Sequence, residues 1–228
     1  MNAKTRSKLE MGSRALEFSR AHPDESPGYE AALRRLEEQL ERSTQVATRQ
    51  RDGLIEVRAA TARKAELTNS MRRKQLVHLS RVARLASKEL PELAQKFLLP
   101  RDPAPYLAFK TIASGMVVEA QRQKELLIKH GLVERVLESL VESLQEFDVV
   151  VEQGAEGRRV HIGASAELDV VADEVVQIVK AIDGLNRFRF ATQPDLIASW
   201  KAASNVIGPP RSGEKTTPST EDEVKPAA

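Results

Sequence analysis

Apolar residues that recur every three or four positions constrain this chain more than any other feature of its sequence. The clearest example begins at Ser165 and ends near Gly184. Its apolar positions are Leu168, Val171, Val175, Ile178, Ile182 and Leu185. Because an α-helix has 3.6 residues per turn, these side chains form one stripe. Ser165 is a suitable N-cap and Gly184 a suitable C-terminal stop. The stretch therefore predicts a helix with one buried side, which needs other helices to pack against.

A second run of this kind predicts one long helix over residues 29–89. The run contains no proline and only one glycine, Gly53. Helical spacing of apolar residues is clear at both ends of the run and weak in its middle. A straight helix of this length measures about 90 Å at 1.5 Å per residue, so we expect part of it to project or to pair with another copy. Gly53 and the Asn69–Ser70 pair are the expected positions of bends.

Composition favours the same fold class. Aromatic residues make up only 4% of the chain and charged residues 30%, so leucine, valine and alanine must do most of the packing. We predict an all-α protein, a helical bundle of four or five helices. It would carry a long, partly coiled-coil-like N-terminal helix and a disordered C-terminal tail.

The predicted domain organisation follows the changes in composition along the chain. Residues 1–28 form a short N-terminal helix and a linker, and residues 29–75 form a long basic helical arm. Residues 76–207 form the bundle. Residues 208–228 are rich in Pro, Ser, Thr and charge with almost no apolar side chains, so this tail is predicted to be disordered.

Within the predicted bundle, glycine and proline divide one helix from the next. Helices are expected over residues 106–130, ending at Gly131, over residues 132–152, and from Pro194 to about residue 205. Residues 154–164 contain three glycines, and we interpret them as a loop before the helix that starts at Ser165.

The sequence gives little support for catalysis or metal binding. There is no cysteine, which excludes disulfides, thiolate zinc sites and cysteine nucleophiles. None of the four histidines is preceded at three positions by glutamate, so the Glu-x-x-His pairs of di-metal bundles are absent. Arg158, Arg159 and His161 could face an anion, but their spacing matches no phosphate-binding motif. We predict a protein that is not an enzyme, with no catalytic residues, no cofactor and no metal.

Charge is distributed unevenly along the chain. Residues 1–90 contain 19 Lys and Arg against 12 Asp and Glu, whereas residues 91–228 contain 16 against 21. Residues 42–84 are the most basic part, with 11 cations against 3 carboxylates. The predicted interaction surface within this part consists of Arg58, Arg63, Lys64, Arg72, Arg73, Lys74, Arg81 and Arg84.

An acidic counterpart occurs later in the chain. Glu134, Glu138, Glu142 and Glu146 are four residues apart and share one side of a predicted helix. Like charges at this spacing are mildly unfavourable unless a basic surface faces them. We therefore predict an acidic docking stripe that contacts Arg and Lys of the long helix, either within one chain or across a homodimer.

These features predict a non-enzymatic helical scaffold or adaptor that acts through self-association or helix–helix protein binding. The expected partner is a second copy, forming a homodimer, or another helical protein. The alternative is a nucleic-acid-associated protein that uses the basic arm 42–84. A third hypothesis, attachment to a membrane surface through residues 3–21, has less support. No continuous apolar segment resembles a signal peptide or a membrane span, so we expect a cytoplasmic protein.

Overall fold

The computed structural model of this protein describes residues 1–206, and these residues form helices and loops without any strand. The helices are α1 (Ala3–Ala21), α2 (Pro27–Ser70), α3 (Val77–Ala86), α4 (Leu93–Lys96), α5 (Tyr106–Arg122), α6 (Lys124–Lys129), α7 (Glu134–Arg189) and α8 (Pro194–Ala203). The prediction of an all-α fold with a long N-terminal helix is confirmed. The predicted tail, residues 208–228, lies outside the described residues.

The long basic segment is helical throughout. A single π-helical segment, Met71–Leu76, joins α2 to α3, and the residues at its two ends keep right-handed helical torsion angles. It follows directly after the Asn69–Ser70 pair, where the sequence predicts a bend. At Gly53, the other predicted position, α2 continues without interruption.

Buried contacts hold the π-helical segment in place. Its residues Met71, Gln75 and Leu76 are buried. The Gln75 amide donates hydrogen bonds from Nε2 to the hydroxyl oxygens of Ser139 (2.9 Å) and Ser143 (3.2 Å) on α7. The wider helical turn therefore coincides with a polar contact between α7 and the long helix.

The predicted loop at residues 154–164 is wrong. Helix α7 runs through it and contains 56 residues, from Glu134 to Arg189. Ser165 is therefore inside the helix and does not cap it, and Gly184 does not end it. The helix predicted over residues 106–130 is also divided, because α5 ends at Arg122 and α6 begins at Lys124. Gly131 does end α6, with φ of +100°.

The chain forms two compact units. The terminal unit combines residues 1–48 with the described residues from Ala164 onward, and the central unit is Arg49–Gly163. Helices α2 and α7 contribute residues to both. The predicted divisions at residues 28 and 75 fall inside the terminal and the central unit, and the division at residue 207 lies outside the described residues. Segments distant in sequence share one core, which composition along the chain does not reveal.

In the terminal unit, α1 and α8 pack against parts of α2 and α7. The buried apolar residues of this core are Met11, Ala15, Leu16, Tyr29, Leu36, Val175, Ile178, Val179, Ile182 and Trp200. The Trp200 indole donates a hydrogen bond to Asp183 Oδ1 (2.8 Å). Helix α1 buries Met11 and Ala15 almost completely.

In the central unit, α2 and α7 approach each other most closely at two glycines. A Cβ atom on Gly53 would lie 2.7 Å from the Gly157 carbonyl oxygen and 2.8 Å from the His161 backbone nitrogen. A Cβ atom on Gly157 would lie 2.9 Å from the Gly53 carbonyl oxygen. Backbone atoms cannot move away singly, so only glycine fits at this crossing of the two helices.

Substitution of glycines by alanine should distinguish this crossing from ordinary helix positions. Gly53→Ala should destabilise the fold by about 1–3 kcal/mol, because the added methyl group overpacks the backbone of α7. Gly163→Ala is the matched control, since nothing lies within 4 Å of the added Cβ. It should stabilise the fold by about 0.5–1 kcal/mol through better helix propensity. Urea denaturation followed by far-ultraviolet circular dichroism measures both changes, and equal stability of the two variants would contradict the close approach.

Candidate interaction surface

The structure divides the eight predicted basic residues into two groups. The first group, Arg63, Lys64 and Arg72, makes contacts within the central unit. Arg63 donates hydrogen bonds from Nε to Glu146 Oε1 (2.8 Å) and from Nη1 to Glu66 Oε2 (2.8 Å). These two hydrogen bonds raise the pKa of the Arg63 guanidinium, and the bond with Glu146 has the larger effect. Arg63 is thus the residue at which the basic arm meets the predicted acidic stripe.

Arg72 and Lys64 support the loop before α5 and the start of that helix. The Arg72 guanidinium donates from Nη2 to the carbonyl oxygens of Pro100 (2.6 Å) and Arg101. The Lys64 ammonium group lies 5.4 Å from the centroid of the Tyr106 ring, within the range of a cation–π interaction. Both side chains therefore have structural partners inside the unit.

The second group consists of five residues with exposed side chains, Arg58, Arg73, Lys74, Arg81 and Arg84. None of them has a partner among the residues that the structure describes. Arg81 precedes Arg84 by three positions on α3, so these two share one side of that helix. Arg73 and Lys74 lie in the π-helical segment directly before α3.

Two further exposed residues, which sequence analysis did not single out, lie near this side of α3. Leu85 lies beside Arg84 with 52% of its surface exposed, and Lys88 follows Arg84 by four positions in the turn after α3. Helical spacing from Arg81 could have identified both. We name Arg73, Lys74, Arg81, Arg84 and Lys88 the basic face.

All four residues of the predicted acidic stripe are exposed on the first turns of α7. Glu146 accepts the hydrogen bond of Arg63, and Glu134 accepts one from the Lys124 ammonium group (2.6 Å). The bond with Glu134 is the main reason that the pKa of Lys124 is raised, with a smaller contribution from the charge of Glu138. Glu142 has no partner within residues 1–206. The stripe thus contacts the long helix at Glu146, while its other members face solvent or α6.

The residues considered for anion binding lie in the middle of α7. The Arg159 guanidinium donates from Nε to Glu156 Oε2 (2.8 Å). His161 Nδ1 is 2.9 Å from the carbonyl oxygen of Gln50. With both Arg159 and His161 engaged by neighbouring groups, the arrangement does not form the backbone cradle of a phosphate site.

Two other kinds of site are absent from the described part of the chain. Within residues 1–206, no group of three or more His, Asp and Glu side chains is placed to hold a metal ion. Every helix in the same range is too short or too polar to cross a membrane.

Comparison with known proteins gives no further assignment. The chain matches no protein-family model, no curated protein and no solved structure. The basic face and the acidic stripe are therefore characterised by their own geometry and charge.

Exchange of the Arg63 and Glu146 charges should test whether this pair aligns α2 with α7. Glu146→Arg places two guanidinium groups together and should lower the melting temperature. Arg63→Glu combined with Glu146→Arg should recover part of the loss, because the exchanged pair keeps opposite charges while the glutamate at position 63 faces Glu66. Exposed ion pairs contribute little stability and are screened by salt. Both changes in melting temperature should therefore shrink at high salt. A double variant no more stable than Glu146→Arg alone would show that the contact does not set the register.

Proposed function

We propose that this protein is a helical adaptor that binds an acidic helical protein through its basic face. The observation that carries this proposal is the set of five exposed cations on α3 and its flanks, none with a partner in residues 1–206. Other cations on the same long helix, such as Arg63 and Arg72, are paired within the chain. The basic face therefore keeps its charge available for another molecule.

The dimensions of the basic face suit a helix as the partner. From Arg73 to Lys88 the face extends about 22 Å, or four helical turns. A helix with carboxylates every three or four residues presents charges at the same spacing. The exposed Leu85 adds an apolar contact beside Arg84. Charge complementarity of this kind speeds association and selects the partner more than it adds affinity.

Charge reversal on the basic face should weaken binding of an acidic helix. The probe is a fluorescent amphipathic peptide with a leucine seam and glutamates at helical spacing. Arg81→Glu combined with Arg84→Glu should weaken binding at least ~10-fold, because two attractions become repulsions. The matched control is Arg6→Glu with Arg34→Glu, two exposed cations of the terminal unit, which should leave the affinity unchanged. Fluorescence anisotropy measures both, and equal affinities of the two variants would refute the proposal.

Nucleic acid is the second candidate partner. It is favoured by the same five exposed cations of the basic face, which have no partner in residues 1–206. Phosphate contacts require cations on one side of an element and do not require a base-reading motif. The basic face offers no exposed aromatic side chain on which bases could stack. We therefore rank nucleic acid below an acidic protein.

The two candidates differ in their response to salt. Five phosphate contacts imply a slope of about −4 to −5 in the logarithm of the duplex affinity against the logarithm of salt. Between about 50 and 200 mM salt, the affinity for duplex DNA would then fall roughly 250- to 1,000-fold whatever the base sequence. Electrophoretic mobility shifts with two unrelated duplexes measure this. Absence of any shift at the lower salt concentration would exclude the nucleic-acid function.

A further inference from the structure

A groove runs between α2 and α7 in the terminal unit, and neither α1 nor α8 contributes to it. Its volume is about 580 Å³. The lining residues are Ala31, Ala32, Arg35, Val170, Asp173, Glu174, Gln177, Ile178 and Ala181. All belong to these two helices, which leaves one side of the pair open.

The middle of the groove is apolar and shallow. Ala31, Ala32 and Ala181 present only methyl groups, and Ile178 below them is 6% exposed. Val170, at one end, keeps 55% of its surface exposed. Small side chains along such a groove permit close approach of another helix, as in bundles with interdigitating side chains.

The two walls of the groove carry opposite charges. Arg35 lies on the α2 wall and Glu174 on the α7 wall, and neither has a partner among the described residues. Arg42 and Glu167 form an ion pair between the two helices (3.0 Å). Arg35 is seven residues before Arg42, and Glu174 is seven residues after Glu167, so Arg35 and Glu174 lie at the same height along the antiparallel helices. Across the groove itself, Arg35 and Glu174 do not pair. Asp173, the other carboxylate, is already engaged by Lys8.

We propose that a second copy of this chain packs into this groove and forms a symmetric homodimer. The two-fold axis runs parallel to the helices, so α2 of each copy faces α7 of the other. Arg35 of one copy then meets Glu174 of the second copy, and the reverse contact forms as well, as in every isologous interface. Ala31, Ala32 and Ala181 of the two copies pack against each other, and the four helices enclose an apolar centre.

Self-complementary charge is the reason for choosing a second copy as the occupant. A two-fold rotation places the α2 wall of each copy opposite the α7 wall of the other. The dimer therefore contains two contacts between Arg35 of one copy and Glu174 of the other. The area indicates a weak dimer. The lining residues span positions 31–35 of α2 and 170–181 of α7, so the longer wall measures about 18 Å at 1.5 Å per residue. A patch of this length and of two helix diameters, about 20 Å, in width covers roughly 360 Å² per copy, or about 720 Å² in total. Interfaces below about 1,200 Å² are typical of weak and transient complexes, so we expect dimerisation that depends on concentration.

This dimer goes beyond the proposed function, because the groove and the basic face belong to different units. A dimer would carry two basic faces. Linked sites of this kind raise the affinity for a partner with two binding segments without any new contact. Self-association would therefore strengthen the adaptor without taking part in recognition.

Charge reversal in the full-length chain tests the interface. Sedimentation velocity over a range of concentrations around ~10 μM should show a monomer–dimer equilibrium. Arg35→Glu alone and Glu174→Arg alone should each weaken dimerisation at least ~10-fold, because both reciprocal contacts become repulsive. An equimolar mixture of the two variants should dimerise again, since the heterodimer contains two restored pairs of opposite charge.

Arg34→Glu is the matched control, because Arg34 is exposed on the same turn of α2 but does not line the groove. It should leave the dimerisation constant unchanged, and circular dichroism should show every variant folded. A wild-type chain that stays monomeric, single variants that dimerise as well as wild type, or a mixture that stays monomeric would each overturn the inference. Binding of the acidic peptide to the Arg35→Glu variant is measured in parallel. The Arg35→Glu variant should keep the peptide affinity of the wild-type chain. A wild-type chain that binds the peptide but stays monomeric would refute the dimer alone, whereas a wild-type dimer without peptide binding would refute only the proposed function.

Discussion

The close approach of α2 and α7 at Gly53 and Gly157 is the contact on which the arrangement of the central unit depends. With a side chain at either position the helices would have to separate, since the nearest atoms belong to backbone. This crossing also sets the register. Arg63 lies ten residues after Gly53 on α2, and Glu146 lies eleven residues before Gly157 on α7. These two side chains form an ion pair. One backbone contact thus determines which charges meet.

That register explains why the cations of one basic helix have different roles. Arg63 and Arg72 are placed opposite acceptors supplied by α7 and by the loop before α5. Arg73, Arg81 and Arg84 are exposed and have no hydrogen-bond or ion-pair partner among residues 1–206. Exposed ion pairs add little stability, so the paired group aligns elements while the unpaired group remains available for a partner. The same distinction separates Arg42 from Arg35 in the terminal unit.

Sequence reasoning was least reliable where glycine is concentrated. Each glycine lowers helix propensity by about 1 kcal/mol relative to alanine, so Gly154, Gly157 and Gly163 together predict a loop. In the structure they lie inside α7, because the packing of Gly157 against Gly53 more than offsets that intrinsic cost. A local pattern cannot reveal this compensation, since the second glycine lies about a hundred residues earlier in the chain. The break between α5 and α6 at Gln123 has no signal in the sequence at all.

Spacing, proline and glycine act locally, so the sequence alone predicts the all-α class, the extents of α1 and α8, the near-continuous long helix and the helix end at Gly131. It also identified the basic residues and the acidic stripe as sets. Only the tertiary structure decided that α7 is one helix, that the first and last parts of the described chain share a core, and which cations remain unpaired. Those outcomes depend on which residues α7 places opposite α2, and that pairing joins positions far apart in the sequence.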